Sequence, residues 1–188
     1  MERKMEKIKK NWQPNWSEVF MQVAWVMSQK SHCIWVNAGA VLAVKKDDKW
    51  MFINTGHNGA VRGSAHCDEE ACTNRDDNGN KLKDGYCRGA HAEMNAITNA
   101  ADLGIDISNA ILFVILSPCL ECAKHIANSK IKEVVYLYKY SHFFPDKGEE
   151  TGRAIELLTQ NGKICKKFEG NLIIQEGDKY VVKIFSHH

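Results

Sequence analysis

Phe20, Val23, Val26 and Met27 recur at helical spacing behind Ser17, a residue type that can cap a helix, and the pattern predicts a helix ending near Lys30. Residues 38–44 and 50–55 read as two strands, and Lys45-Lys46-Asp47-Asp48-Lys49 as the polar turn of a hairpin between them. From Gly56 to Gly89 no apolar period is sustained, only Gly, Asn and Asp with a scatter of Cys and His. A loop of that length in a compact protein is functional or tied down. Regular alternation then returns: a helix over 91–101, a strand over 111–116, a helix over 118–128 and a strand over 133–137, a βαβ rhythm. A helix over 149–160 stops at Asn161-Gly162, a strand follows over 164–168, and residues 172–175 and 180–185 form a hairpin about Glu176-Gly177-Asp178.

The chain has 188 residues, 44% of them hydrophobic and 26% charged, and no internal repeat or linker, so one domain is expected over 1–188. Within it the core covers about 17–168, flanked by a basic extension over 1–16 and a hairpin extension over 169–188. The first ten residues carry five Lys or Arg against two Glu, so the rest of a chain of net charge +2 sums to −1. That body lacks the cationic footprint of a polynucleotide binder, and a small-molecule substrate is expected. The longest apolar run, residues 110–116, is far below the roughly 20 residues that span a bilayer. Without a membrane segment or a secretory leader, the expected compartment is the cytoplasm, a host's cytoplasm if the source is viral. Seven cysteines, an odd count in a reducing compartment, point to metal ligation rather than disulfides. The His187-His188 pair reads equally as a tag remnant or as native sequence and carries no argument.

In SPCLEC, Cys119 and Cys122 stand three apart behind Pro118, with Pro118 read as the first helical residue, so both sulfurs face one side. A helix N-terminus also favours the thiolate, the form that binds zinc. In GAHAEMNAI, His91 and Glu93 open the preceding helix. One His and two Cys make three ligands, a count that leaves a tetrahedral Zn²⁺ one position for water and leaves Glu93 free as acid and base. A His-x-Glu pair arises by chance about once in two chains of this composition, but Pro-Cys-x-x-Cys only roughly 0.004 times. Two helix N-termini flanking one strand converge where open α/β sheets bind ligands. The competing reading is a structural zinc knuckle, or free thiols beside a solvated His.

These motifs resemble the zinc-dependent nucleobase deaminases, whose signature is His-x-Glu followed by Pro-Cys-x-x-Cys. The resemblance is to the deoxycytidylate deaminase branch, and it is carried by SHCIWVNAGAV at 31–41, GHNG at 56–59, HAEMNAI at 91–97 and SPCLECAKHIANSKIKEVVY at 117–136. It implies a cytidine-deaminase-like three-layer α/β/α sandwich with a mixed five-stranded sheet. It implies zinc held by His91, Cys119 and Cys122, Glu93 as the proton shuttle, and conversion of dCMP to dUMP and ammonia, which supplies dTMP synthesis.

The resemblance also assigns subsidiary roles. Asn58 is implied as a substrate contact, against a reading as an ordinary turn residue, and Tyr140 as an aromatic beside the pyrimidine, against a half-exposed strand end. Ala92 and Ser117 join the substrate site, and Arg62 is the candidate for the phosphate, against a solvated loop side chain. A second, structural zinc is implied, with ligands at Cys33 and Cys67; Cys72 and Cys87 would complete it, with His66 as the substitute, whereas Cys165 reads as a core residue. Effector binding of dCTP and dTTP, with Mg²⁺ accompanying the nucleotide, is implied at Gly56, His57, Asn58 and Gly59, where the family usually has Tyr in place of His57. A homo-oligomer, commonly a hexamer, is implied too. The rival readings are a deaminase of another base, such as a modified dCMP or tRNA adenosine, and a non-catalytic zinc module.

Overall fold

The structure, a computed structural model, describes residues 13–176 and 179–185. The basic start over 1–12, part of the turn at 177–178 and the terminal His pair lie outside the described residues.

The first helix, α1, runs Trp16–Ser28 and is capped by Asn15, not by Ser17. Asn15 Oδ1 accepts the Glu18 N–H at 3.1 Å, and the Glu18 carboxylate accepts the Asn15 N–H at 2.8 Å, a reciprocal capping box that satisfies two orphan donors. The other Glu18 oxygen accepts the backbone N–H and side-chain amide of Asn171 at 2.7 and 2.9 Å, so this buried carboxylate is fully bonded. Asn15→Ala is expected to cost about 1 kcal/mol of stability; an unchanged urea midpoint would show that the box is dispensable.

Strands β1, Gly39–Lys46, and β2, Lys49–His57, form an antiparallel hairpin. Its turn is shorter than the expected five residues. Asp47 and Asp48 both adopt left-handed φ, 47° and 59°, the backbone of a two-residue turn that lets Lys46 pair with Lys49. β1 pairs antiparallel with β5, Ile111–Leu116, which pairs parallel with β6, Glu133–Tyr138, and that with β7, Ile164–Lys167. The sheet order is β2-β1-β5-β6-β7, the mixed five-stranded sheet expected.

Alternating residues of β1, β5 and β6 feed two cores, as the period-2 geometry of strands requires. Leu42, Leu112, Val114 and Val134 pack against Ala96, Ala100, Ala123, Ile126 and Leu158 of α2 (Ala92–Asp102), α3 (Leu120–Asn128) and α4 (Gly148–Gln160). On the opposite face Val41, Phe113, Ile115 and Leu137 pack against Phe20 and Met21 of α1, with Phe168, Leu172 and Ile174. The last two belong to β8, Gly170–Glu176, which pairs with β9, Lys179–Phe185. The terminal hairpin is therefore not an appendage: it completes the outer layer beside α1. Gln22 fixes it there, donating to the Ile173 carbonyl at 2.8 Å and accepting its N–H at 2.7 Å.

The long loop is partly paired. β3, Gly59–Ala60, meets β4, Gly89–Ala90, and closes its two ends together. Within it Arg75 pairs with Lys81 across a tight turn in which Asp76 Oδ1 accepts the N–H groups of Asn78 and Asn80. Closing the loop brings its cysteines and Arg75 back to the sheet edge where α2 and α3 begin.

Candidate active site

His91 is the N-cap of α2 and Cys119 the N-cap of α3. Pro118 stands before that cap rather than at the first helical position, because Cys119 is extended (φ −72°, ψ 170°) and the helix starts at Leu120. The cysteine pair still occupies N-cap and third helical position, on one face of the first turn. His91 Nδ1 lies 3.3 Å from the Cys119 sulfur and 3.4 Å from the Cys122 sulfur. The three ligand atoms fall within 4.8 Å of one another, the one such His, Cys, Asp or Glu group among the described residues.

Charge is redistributed inside this group. A hydrogen bond from Cys122, with His91 close by, pulls the Cys119 thiol down to about 4 against the effect of burial, while Cys122 is pushed up by the same bond to Cys119. The contact with Cys119 raises His91 to about 9. Soft sulfur donors and an imidazole at this spacing fit Zn²⁺, with a coordination position to spare. Glu93 sits at the second position of α2, buried, and its pKa is raised by burial despite the opposing charge of His91. It is outside the three-ligand group.

His91, Glu93 and Cys119 line a cavity whose walls also include Asn58, Ala92, Ser117, Tyr140 and Phe144. Ser117 Oγ accepts the Tyr140 N–H at 2.9 Å and so seats that ring, which lies 4.9 Å from the Phe144 ring. Burial pushes the Tyr140 phenol up to about 12. On the β2 side Asn95 donates to the His57 carbonyl at 2.8 Å, fastening the end of β2 to α2.

Residues 14–138 match the cytidine and deoxycytidylate deaminase zinc-binding region. The chain belongs to this family. It is 33% identical over 153 residues to the human deoxycytidylate deaminase, covering 81% of this chain and 79% of that protein. It is 32% identical over 145 residues to ComE operon protein 2 of Bacillus subtilis, 76% and 70% of the two chains. The crystal structure of dCMP deaminase from the cyanophage S-TIM5, in complex with dCMP and dUMP, superposes with a TM-score of 0.63 at 28% identity, covering 84% of this chain and all of that one.

This member of the deaminase family departs from the expected site in several places. Arg62 does not reach the cavity: its exposed guanidinium is held by Asp102 at 3.1 Å and Asn99 at 2.9 Å, on the outer side of α2. Asn58 does line the cavity, but its amide is already engaged, accepting the Ala38 N–H at 2.7 Å and donating to the Val36 carbonyl at 2.9 Å. One N–H and one lone pair remain for a ligand. Gly56 is buried with its Cα against the backbone of α2.

Cys33, which follows α1, and the loop cysteines Cys67, Cys72 and Cys87 also line the cavity. Cys72 and Cys33 lie close enough to Cys67 for their charges to act on it. Burial opposes ionisation of Cys72, but the N–H groups of Asn74 and Arg75, the Trp35 indole and Cys67 together lower its pKa. Cys87 instead accepts the Gly89 N–H at 3.4 Å. The four do not gather as closely as the His91 group. Arg75, Trp35 and Phe144 are lining residues that the sequence does not single out. The run Arg75-Asp76-Asp77-Asn78-Gly79-Asn80 has the composition of any solvated turn, and nothing in it distinguishes Arg75 from Arg62.

Proposed function

We propose that this deaminase hydrolyses dCMP to dUMP and ammonia. The observation that carries the reading is the buried carboxylate of Glu93, beside a three-ligand set rather than within it. His91 Nδ1, Cys119 and Cys122 would hold zinc, which supplies a water acidic enough to ionise near neutral pH. Glu93 takes one proton from the attacking water and gives it to cytosine N3, then takes the second from the hydroxyl formed at C4 and gives it to the departing amine, so water enters, ammonia leaves and the carboxylate is returned unchanged. Burial suits it, because a carboxyl that holds a proton readily is a better carrier at neutral pH. Tyr140 and Phe144 form an apolar wall for the base, and Asn58 keeps one donor and one acceptor for the sugar or base edge. The relatives named deoxycytidylate deaminase and the complex of the phage enzyme with dCMP and dUMP support this substrate over adenosine in tRNA.

The finer reading keeps a second zinc, allosteric control and assembly. Cys67 and Cys72, with Cys33 beside them, would begin a structural thiolate site; Cys87 or His66, whose Nδ1 is buried without a hydrogen-bond partner among the described residues, would complete it. Effector binding of dCTP, with Mg²⁺, and of dTTP would involve His57 and Gly59, and a homo-hexamer would be the working form in the cytoplasm, supplying dUMP for dTMP synthesis.

Ammonia release is the test, measured from dCMP, 5-methyl-dCMP, dCTP, CMP and deoxycytidine, with dCTP or dTTP added in parallel and zinc counted per chain. Turnover of dCMP is expected, falling to background after chelation and returning with Zn²⁺. A zinc-loaded protein silent on all five substrates overturns the assignment.

A further inference from the structure

The cavity is charged unevenly. Glu93 is the one carboxylate among its lining residues, and Arg75 the one Lys or Arg. Arg75 has no carboxylate within ion-pair distance among the described residues, although Asp76 and Asp77 follow it in the chain. Asp76 is turned to Asn78 and Asn80 instead. Unlike Arg62, whose charge is already answered, Arg75 presents a half-buried guanidinium with unused donors.

Its placement is built. One Nη donates to the Gly79 carbonyl at 2.6 Å, and the guanidinium carbon lies 5.4 Å from the centre of the Phe144 ring. Gly79, at φ 85°, sits so close to the Trp35 ring that a Cβ there would come within 3.0 Å of it. The turn that aims Arg75 is therefore pressed against a cavity wall. From Tyr140 the path to Arg75 is two steps, 4.9 Å to Phe144 and 5.4 Å onward, and the positive charge of Arg75 is felt at the Tyr140 phenol.

We propose that Arg75 is the specificity residue that makes this enzyme prefer a nucleotide to a nucleoside: it receives the 5′-phosphate of a substrate whose base reaches Glu93. The proposal rests on the dCMP reading above. A planar guanidinium offers paired N–H donors to phosphate oxygens, and stacking on Phe144 leaves its edge free for them. With Arg75 the one Lys or Arg and Glu93 the one carboxylate among the lining residues, the phosphate is drawn to Arg75 and repelled by Glu93, which fixes which end of the substrate meets the zinc ligands.

The test compares wild type, Arg75→Ala and Arg75→Lys on dCMP and deoxycytidine, with dUMP binding measured by calorimetry. Arg75→Ala is expected to lower kcat/KM on dCMP by roughly 10- to 100-fold, the cost of losing hydrogen bonds to a charged group, mostly through KM. The value on deoxycytidine should stay within about twofold, dUMP should bind more weakly by a similar factor, and Lys should recover part of the loss. Equal losses on both substrates would mean that Arg75 only holds the turn, and an unchanged dCMP preference would mean that it does nothing for the phosphate; either result overturns the proposal. If Arg75→Ala does not fold, Arg75→Gln keeps an amide for the Gly79 carbonyl and carries the same comparison. If wild type does not turn over dCMP, the substrate reading has failed, and Arg75 is then judged on dUMP binding alone, where equal affinity in wild type and variant refutes it.

Discussion

Glu93→Gln is expected to lower kcat on dCMP by about 10²- to 10⁴-fold while zinc remains bound in full. The amide has nearly the shape of the carboxyl, so the buried pocket at the second position of α2 is still filled. What it lacks is a carboxyl that can take up and release a proton. Since burial disfavours the Glu93 charge, removing that charge should not lower stability, and the melting temperature separates chemistry from folding. A variant that keeps more than a tenth of wild-type kcat would remove Glu93 from the proton path. Loss of zinc together with activity would make it a ligand, contrary to the three-ligand set.

The chemistry is legible in the sequence because it depends on local spacing. Cys119 and Cys122 are three apart on one first turn, and His91 and Glu93 are two apart at another, so only the meeting of two helix starts has to be supplied by the fold. The βαβ rhythm supplies it: parallel pairing of β5 with β6 puts the helix starts at one edge. The hairpin turn at Asp47-Asp48 is shorter than its polar run suggests because its two aspartates accept left-handed φ, which polarity alone does not reveal. Arg62 and Arg75 show the limit more sharply. Both are arginines in polar loop sequence, and the difference between them is tertiary: α2 offers Asp102 and Asn99 to one, while the Asn78-Gly79 turn swings the other over Phe144. The terminal hairpin is readable as strands but not as a core layer, since the Gln22 and Glu18 bonds that seat it join residues about 150 positions apart.

Gly56→Ala is expected to destabilise the fold by roughly 3 kcal/mol, the upper part of the range for overpacking, and to lower the melting temperature by about 6–12 °C. A Cβ at Gly56 would stand 2.2 Å from the Ala92 carbonyl oxygen and 2.5 Å from the Ala96 nitrogen, both helix backbone, so no side chain can rotate out of the way. Relief requires α2 to lift off β2, and α2 carries His91 and Glu93 at its start. The Asn95 bond to the His57 carbonyl resists that shift and would be strained with it. Zinc affinity should therefore weaken along with stability, a coupling that an ordinary core mutation away from α2 would not show. Gly152→Ala is the control: Gly152 is exposed in α4 with open space where a Cβ would stand, and the change should gain about 0.5–1 kcal/mol through helix propensity. Equal denaturation midpoints for Gly56→Ala and wild type would mean that β2 and α2 are not packed this closely. Lost stability with unchanged zinc affinity would mean that α2 can yield at Gly56 without moving His91.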